Sequence, residues 1–309
     1  MITVMGIFAA DLVFHTPKLP AWGETVLGSG FGIGPGGKGS NQAIATARLG
    51  APVEFLAKIG QDDFGAMARG IYAREGVGTR FLRESADLPT GSAAIIIDDR
   101  AGENAIIVVP GAAAALTTAE IDGAAEAIDA SSVFLTQLET PQPLVLHALR
   151  RARAAGSVTM LNPAPAAALS DEILGLVDIL TPNETEAAML SGLPVTDTAE
   201  AEAAADALIA RGAGAVVITL GEKGALLRKD GQTVLAMAVK AGPVVDTTGA
   251  GDSFNAGIAV ALSEGKTLAE ALGFACAVAG LKVTRAGAGA GMPKRAEVEA
   301  LLAGSRPPA

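Results

Sequence analysis

Apolar strands and amphipathic helices alternate along most of the chain. The opening run ITVMGIFAA predicts one buried strand; after residue 110, SVFLTQLE predicts a strand, PQPLVLHALRRARAAG a helix and VTMLN the next strand. Short apolar strands separated by helices are typical of βαβ units, whose parallel sheet is covered by helices on both faces. We therefore predict an α/β fold with a mostly parallel central sheet flanked by helices.

Two regions contain short extended stretches with no helix between them. Prolines and glycines interrupt residues 12–33, and residues 91–110 contain the runs GSAAIIID and NAIIVVP, joined by the turn-rich DRAGE. Two such insertions indicate a small β-sheet that stands off the edge of the α/β body and covers a cleft. The predicted body comprises residues 1–11, 34–90 and 111–309, and the predicted β lid comprises residues 12–33 and 91–110.

Composition and charge narrow the class of protein. The formal net charge of the 309 residues is -10, which argues against nucleic acid or an anionic membrane as the main partner. Cys276 is the only cysteine, so the chain forms no internal disulfide and a reducing compartment is expected. The first residues lack a basic signal-peptide region, and no apolar run approaches the roughly eighteen residues of a membrane span. We expect a cytoplasmic protein.

The segment DTTGAGDSFNAG, residues 246–257, is the strongest candidate for chemistry. Gly249, Ala250 and Gly251 precede a predicted helix, and small residues there allow backbone N–H groups to converge on an anion. Asp252 beside such a turn could take a proton from a hydroxyl while the amides stabilise a transferred phosphoryl group. The alternative is a tight turn followed by an ordinary first-turn charge.

The segment TPNETEAAML, residues 181–190, opens another helix after a strand. Asn183 and Glu186 are three residues apart, so both can face the same way and organise water around a divalent cation. The alternative is that Asn183 caps the helix and the glutamates lie in its first turn, with no ligand involved.

Two further strand ends carry candidate residues. The segment VVITLGEKGAL contains Thr219, Gly221 and Gly224, which could let the phosphates or ribose of a nucleotide approach the backbone. The alternative is an ordinary corner between a strand and a hairpin. Glu139 follows a strand that we predict to be central, and ligands of open α/β sheets bind beyond the carboxyl ends of the strands. A solvated strand-end acid is the alternative for Glu139.

The stretch GIGPGGKGSNQ, residues 32–42, matches two nucleotide signatures by spacing, G-x-G-x-x-G and G-x4-G-K. The first must follow strand 1 at once, but roughly twenty residues intervene. The second needs Ser or Thr where the chain has Gly39. We interpret the stretch as a glycine-rich loop that delivers Lys38 and Asn41 to the start of a helix, where they suit a hydroxylated ligand.

Together these segments resemble the ribokinase family, the PfkB-type carbohydrate kinases, over nearly the whole chain. The resemblance runs in order through GETVLG, GPGGKGSNQA, KIGQDDFG, GENAIIVVPGAAA, QLE, LNPAPA, DILTPNETEA, VVITLG and VDTTGAGDSFNAG. It implies the three-layer fold of that family with a β-sheet lid, and ATP-dependent phosphorylation of the 5-hydroxyl of a furanose sugar, with D-ribose expected first. Asp252 would be the base, and the amides of Gly249, Ala250 and Gly251 the anion hole.

The resemblance also implies roles for other residues. The positions that match the sugar site are Asp11, Gly37, Lys38, Asn41, Glu139 and Asp252. Those that match the ATP site are Asn183, Thr219, Gly221, Gly224 and Gly251. Glu186 would act on Mg²⁺ through water. The positions that match a monovalent-cation site, usually for K⁺ and largely built of backbone, are Asp246, Thr248, Arg285, Gly287 and Gly291. In this family the lid strands pair two chains into a homodimer.

Several departures keep other acceptors open. The family carries an asparagine that contacts sugar hydroxyls two residues before the aspartate, and here that residue is Ala9. Losing one such hydrogen bond costs about 0.5–1.5 kcal/mol, so 2-deoxyribose, another pentose or ketose, or a nucleoside remain alternatives. Cys276 and Gly291 replace polar residues common near the adenine and cation sites. Outside the kinases, a non-catalytic sugar or nucleotide sensor and an NAD-linked oxidoreductase are the alternatives.

Overall fold

The computed structural model describes residues 1–100 and 103–304. The strands are β1 Ile2–Met5, β2 Ala9–Thr16, β3 Gly30–Gly36, β4 Val53–Gly60, β5 Leu82–Ser85, β6 Gly91–Asp98, β7 Asn104–Val109, β8 Val133–Gln137, β9 Val158–Asn162, β10 Ile179–Leu180, β11 Val216–Thr219, β12 Ala225–Lys229 and β13 Gln232–Ala236. The helices are α1 Lys38–Arg48, α2 Asp63–Glu75, α3 Thr118–Asp122, α4 Ala125–Asp129, α5 Gln142–Ala154, α6 Asp171–Leu174, α7 Glu184–Ser191, α8 Thr198–Ala210, α9 Ala250–Ser263, α10 Leu268–Lys282 and α11 Arg295–Leu302. Residues 111–115 and 221–223 form short 3₁₀ turns.

The main sheet has nine strands in the order β13-β12-β11-β10-β9-β8-β1-β4-β5. The seven strands from β11 to β5 are parallel, and β12 and β13 add an antiparallel hairpin at one edge. The predicted mostly parallel sheet and the edge hairpin are therefore confirmed. Since parallel strands end at the same edge, polar residues after β8, β9, β10 and β11 meet there.

Helices cover both faces of this sheet because its central strands are apolar on both sides. Val4 and Leu135 belong to a core that also contains residues of α1, α2, α9 and α10. Their chain neighbours Met5 and Phe134 point the other way, into a second core built with α3 to α8. Successive strand residues point to opposite faces, so uninterrupted apolar runs fill two layers at once.

A second sheet of four strands has the order β3-β2-β6-β7. Strands β2 and β6 are parallel, whereas the β3–β2 and β6–β7 pairs are antiparallel. Its strands come from the two segments predicted as short extended insertions. The first segment is longer than the predicted residues 12–33, because β2 begins at Ala9 and β3 ends at Gly36. The turn predicted at DRAGE includes residues 101 and 102, which lie outside the described residues.

Two local predictions need correction. The opening run is two strands, because the chain leaves the main sheet after Met5 and enters the small sheet at Ala9. The predicted glycine-rich loop is mostly strand β3, in which Gly34 lies opposite Asp11, and α1 already begins at Lys38. Glycine and proline are poor strand formers, but pairing with a distant partner overrides local propensity. No helix of the described residues is long and apolar enough to cross a bilayer.

Candidate active site

Asp252 lies in the first turn of α9 and is buried. Gly249, the N-cap residue of α9, has a φ of 78°, a left-handed conformation that favours glycine. Two side chains of α1 hold the carboxylate: Asn41 Nδ2 donates to Oδ2 at 2.9 Å, and Gln42 Nε2 donates to Oδ1 at 3.1 Å. The starts of two helices distant in sequence therefore fix the position of one carboxylate.

Gln42 is also the centre of a buried polar network at the carboxyl ends of the strands. Its Nε2 approaches Asn162 Oδ1 at 3.3 Å, and its Oε1 accepts from the amide of Gln137. Asn162 Nδ2 in turn donates to the carbonyl of Thr181 at 3.1 Å. Sequence reasoning assigned no role to Gln42, Gln137 or Asn162, although QLE and LNPAPA placed polar residues at the ends of apolar strands.

Backbone amides at the start of α9 are available to an anion. The N–H of Ala250 donates to Thr247 O at 3.1 Å, so this predicted anion-hole donor is already used. Ser253 N–H donates to Gly249 O at 2.9 Å. Within residues 1–100 and 103–304, the N–H groups of Gly249, Gly251 and Asp252 have no acceptor. Three unpaired donors at a helix N-terminus form a site for a negatively charged group.

Asn255 fixes this first turn of α9 to the main sheet. Its Nδ2 donates to Gly251 O at 2.9 Å, and its Oδ1 accepts from Thr181 Oγ1 at 2.6 Å. Both contacts are buried or partly buried, so the amide-rich turn is held without help from solvent. Asn255 carries no separate sequence signal beyond its place in the DTTGAGDSFNAG segment.

The residues predicted for the sugar lie beside Asp252. The N–H of Lys38, at the start of α1, donates to Glu139 Oε2 at 2.7 Å. Asp11 lies on β2, next to Gly36 of β3, where an added Cβ would overlap the Asp11 carboxyl group. The buried Oδ1 of Asn41 has no hydrogen-bond partner among the described residues. Gly37, the N-cap of α1, completes this group.

Three carboxyl groups of the site have raised pKa values, and the charge of Lys38 opposes the rise at two of them, Glu139 and Asp252. Burial raises the pKa of Asp11 to about 6 and that of Glu139 to about 7. Burial also raises the pKa of Asp252, against the opposing effects of the Lys38 charge and of the hydrogen bonds from Asn41 and Gln42. A carboxylate whose pKa approaches neutrality is a better general base than an exposed one.

A cavity of about 180 Å³ lies directly against Asp252. The residues that line it are Lys38, Asn162, Ala164, Thr181, Asn183, Glu186, Thr219, Gly249, Gly251, Asp252 and Asn255. Members of four separately predicted motifs thus face one space. Gly221 and Gly224 lie in the turn between β11 and β12 and do not line this cavity.

Asn183 and Glu186 form a reciprocal capping box at the start of α7. Glu186 N–H donates to Asn183 Oδ1 at 2.8 Å, and Asn183 N–H donates to Glu186 Oε2 at 2.9 Å. The capping alternative is therefore realised, and the same pair also lines the cavity. Burial raises the pKa of Glu186, and the hydrogen bond from the N–H of Asn183 opposes this rise. The described residues hold no cluster of three His, Cys, Asp or Glu side chains suited to a metal ion.

The residues predicted for a monovalent cation also converge, but a lysine lies among them. Asp246 accepts from Thr248 N–H and from Gly287 N–H, each at 2.8 Å. The Nζ of Lys282 donates to the carbonyls of Asp246 at 2.9 Å and Arg285 at 3.1 Å. Carbonyl groups that would face a bound K⁺ therefore already face an ammonium group. This arrangement does not fit the expected K⁺.

Comparison with known proteins identifies the family. A family model described as pfkB family carbohydrate kinase matches residues 1–295. The chain belongs to this family. It is accordingly a phosphotransferase that acts on a hydroxyl group of a carbohydrate, and the predicted ribokinase-type fold and kinase class are confirmed.

Relatives within the family share most of the chain. The ribokinase of Haemophilus influenzae is 41% identical over 298 residues, which cover 96% of this chain and 96% of the relative. The ribokinase of Bacillus subtilis is 40% identical over 301 residues, covering 97% and 99%. A solved structure of Arabidopsis thaliana ribokinase complexed with ribose and ATP has a TM-score of 0.93 and 34% identity, covering 97% of this chain and 98% of that one.

Proposed function

We propose that the protein phosphorylates the 5-hydroxyl of D-ribose with ATP, giving ribose 5-phosphate and ADP. The observation that carries the proposal is the buried Asp252 carboxylate beside three unpaired backbone amides and Lys38, at one cavity. A base, an anion site and a cation in one place are what phosphoryl transfer to an alcohol requires. The relatives named ribokinase support ribose as the acceptor.

On this proposal the sugar lies between the two sheets. Asp11, Asn41 and Glu139 surround the side of Asp252 nearest the small sheet, and each offers an oxygen to sugar hydroxyls. The unpartnered Oδ1 of Asn41 suits a hydroxyl donor, since a buried acceptor without a partner costs about 1–3 kcal/mol. Gly37 lets the start of α1 pack against the chain between the two sheets, since a Cβ there would overlap the carbonyl of Ile7. The small sheet then acts as a lid over the sugar.

The chemical step uses groups that the fold already positions. Asp252 accepts the proton of the 5-hydroxyl, and the freed oxygen forms a bond to the γ-phosphorus. The bond from that phosphorus to the bridging oxygen breaks, and ADP leaves with the electron pair. The amides of Gly249, Gly251 and Asp252 and the charge of Lys38 stabilise the negative charge on the transferred group.

The nucleotide lies on the other side of Asp252, along Asn183, Thr219, Gly221, Gly224 and Gly251. The donor set there fits Mg²⁺ carried by phosphates, because Glu186 offers carboxylate oxygen beside an open space and Mg²⁺ keeps several waters when bound this way. Mg²⁺ would neutralise charge on the phosphates. Glu186 would hold it through water.

Replacement of Asp252 tests the proposed function. Asp252→Asn keeps the size of the side chain but cannot take a proton, so kcat should fall about 10²–10⁴-fold with ribose and ATP. Asp87→Asn, at an exposed aspartate, is the matched control. Formation of ribose 5-phosphate and ADP is measured by chromatography. Activity of Asp252→Asn within a few-fold of the parent would refute the assigned base.

A second acceptor, 2-deoxyribose, is favoured by one residue. Ala9 is on β2, two residues before Asp11, so both side chains point to the same face of the small sheet. Ala9 cannot hydrogen-bond a sugar hydroxyl. We therefore test ribose, 2-deoxyribose, fructose, tagatose and adenosine in parallel. A kcat/KM for a hexose or adenosine about ten times that for either pentose would refute the pentose assignment.

We further propose that two chains pair through the outer face of the small sheet. Phe14 and Phe31 lie opposite each other on β2 and β3 with ring centroids 5.0 Å apart, on the face away from Asp11. Phe31 is 59% exposed and Ile107 of β7 is 64% exposed. A continuous apolar face of this kind is typical of an interface.

Light scattering after gel filtration tests this pairing. We expect a particle of twice the 30.8 kDa chain mass. Phe31→Asp should give single chains, whereas Phe31→Leu, which keeps the face apolar, should not. A parent protein that elutes as a single chain at micromolar concentration would contradict the proposal.

A further inference from the structure

Lys282 is the last residue of α10, and its side chain is fully buried at 0% exposure. A lysine at the end of a helix normally extends its ammonium group to water. Here the side chain turns inward, beneath the segment that leads into the first turn of α9. A buried ammonium group is stable only where oxygen atoms replace its hydration.

Oxygen atoms around the Lys282 ammonium come from the two segments predicted to hold a monovalent cation. Nζ donates to the carbonyl oxygens of Asp246 and Arg285 at 2.9 and 3.1 Å. The Oδ2 atom of Asp246 lies 3.9 Å from Nζ. An ammonium group carries the same unit charge as a monovalent metal ion, on a flexible stem with donors that suit carbonyl oxygens.

Gly291 makes room for the stem of this lysine. A Cβ placed on Gly291 would lie 3.2 Å from Lys282 Cε and 2.6 Å from Gly287 O. A larger residue there would press on the lysine and on the loop that accompanies it. The family has a polar residue at this position, and glycine here is explained by the nearby stem of Lys282.

The segments joined by Lys282 touch the anion-binding turn. The carbonyl of Val283, the next residue after Lys282, accepts from Val245 N–H at 2.8 Å and Asp246 N–H at 3.2 Å. On the other side, a Cβ on Gly249 would lie 3.2 Å from Ala288 Cα. The position of the amides at the start of α9 thus depends on the two segments that Lys282 holds together.

We propose that the ammonium group of Lys282 takes the place of the family's monovalent cation, so that this kinase works without K⁺. Lys282 is a positioning residue: it holds residues 245–248 against residues 285–291 and thereby sets the amides that receive the transferred phosphate. The proposal rests on the proposed kinase function for its kinetic effect, but the occupied cation site can be tested independently of activity.

The first experiment needs only the parent protein. Ribose phosphorylation is followed by chromatography of ADP, so no coupling enzyme contributes its own cation requirement. The assay is run with KCl at concentrations up to about 100 mM, and tetramethylammonium chloride makes up the remainder so that the ionic strength is constant. We expect kcat to change by less than about twofold; a larger activation by K⁺ would overturn the proposal.

Variants of Lys282 make the site dependent on an added ion. Lys282→Ala empties the space between the carbonyls, so kcat without K⁺ should fall about tenfold or more, and K⁺ but not tetramethylammonium should restore most of it. Lys282→Met fills the space without a charge, so its kcat should fall and stay low with K⁺. Lys229→Ala, at an exposed lysine, is the control. A parent-like kcat of Lys282→Ala without K⁺ would refute the role, as would a rescue by both ions.

Thermal unfolding supplies a readout that does not need turnover. An ion that binds only the folded state raises Tm, so K⁺ should stabilise Lys282→Ala relative to tetramethylammonium and leave the parent unchanged. A K⁺-specific increase in the Tm of the parent, or its absence in folded Lys282→Ala, would overturn the proposal. If the parent phosphorylated no sugar in any salt, the proposed function would fail, and these melting curves would still decide the role of Lys282.

Discussion

The side-chain amide of Gln42 donates to Asp252 Oδ1 at 3.1 Å, across 210 residues of sequence. This contact orients the carboxylate that we assign as the base, and it favours the ionised form of that carboxylate. Gln42 is buried and is not among the residues that line the cavity. Its contribution should therefore appear in the pH dependence of the reaction.

Gln42→Leu should move the acidic limb of the kcat/KM profile to higher pH. Loss of the hydrogen bond from Gln42 raises the pKa of Asp252, so a smaller fraction of the base is ionised at any pH on that limb. The loss of one hydrogen bond of ordinary strength should shift this limb by about half to one pH unit. The profile is measured from about pH 5 to 9, with Gln232→Leu at an exposed glutamine as the control. An unshifted limb with a uniformly lower kcat/KM would contradict this role.

Gly36→Ala should raise the KM for the sugar. The added methyl group would overlap the Asp11 carboxyl group and displace it from the position that we assign to a sugar hydroxyl. The loss of one such hydrogen bond predicts a KM increase of about three- to tenfold, with a smaller change in kcat. Gly32→Ala, on the same strand with open space around its Cβ, should leave both constants unchanged. Equal KM values for the two variants would disprove the assignment of Asp11.

Glu139 should make stability fall as pH rises. Burial raises its pKa from 4.5 to about 7, so between these values the folded chain binds more protons than the unfolded chain. This one group then lowers the free energy of unfolding by up to about 1.4 kcal/mol per pH unit within that window.

Glu139→Gln removes this titration and keeps an acceptor for the N–H of Lys38. The free energy of unfolding of the variant minus that of the parent, from denaturant titrations between pH 4.5 and 7, should increase with pH. Glu222→Gln, at an exposed glutamate, should give a flat difference. A flat difference for Glu139→Gln as well would show that its carboxyl group titrates alike in both states.

Gly257→Ala should destabilise the fold by separating α9 from α10. A Cβ at Gly257 would lie 2.9 Å from Ala275 Cα, which is backbone and cannot turn aside. Overpacking of this kind costs about 1–3 kcal/mol. Gly273→Ala, in α10 with open space around its Cβ, should instead stabilise the chain by up to about 1 kcal/mol through helix propensity. Denaturant unfolding compares the two variants, and similar midpoints would refute the packing argument.

Local pattern predicted the elements whose signal lies in their own residues. The apolar runs of β6 and β9 were placed at Gly91–Asp98 and Val158–Asn162, because strand periodicity and flanking turn residues are readable from neighbouring letters. The same reasoning missed that residues 32–36 form a strand. Their partner, β2, lies in another segment, and no local propensity of glycine or proline indicates the pairing.

In the candidate site, too, local signals in the sequence were predictable and contacts between distant segments were not. Asp252 and Lys38 were found because each stands in a glycine-rich segment at a helix start. Gln42 was missed because its partners Asp252 and Gln137 come from two other parts of the chain. Lys282 was missed for a different reason: a lysine in the last turn of an apolar helix ordinarily faces water, and only the packed structure shows that it does not.

Lys282 Cε lies 3.2 Å from the place of a Cβ on residue 291, and this closeness constrains how the two positions can change over generations. A mutation that adds a side chain at 291 first would meet the lysine stem, whereas one that shortens the lysine first would leave a charged cradle empty. Adding the side chain first should be harmful, whereas losing the lysine first should be tolerated wherever K⁺ can fill the space. The two positions should therefore change in a fixed order, and a descendant that regains a side chain at 291 should have lost the lysine at 282.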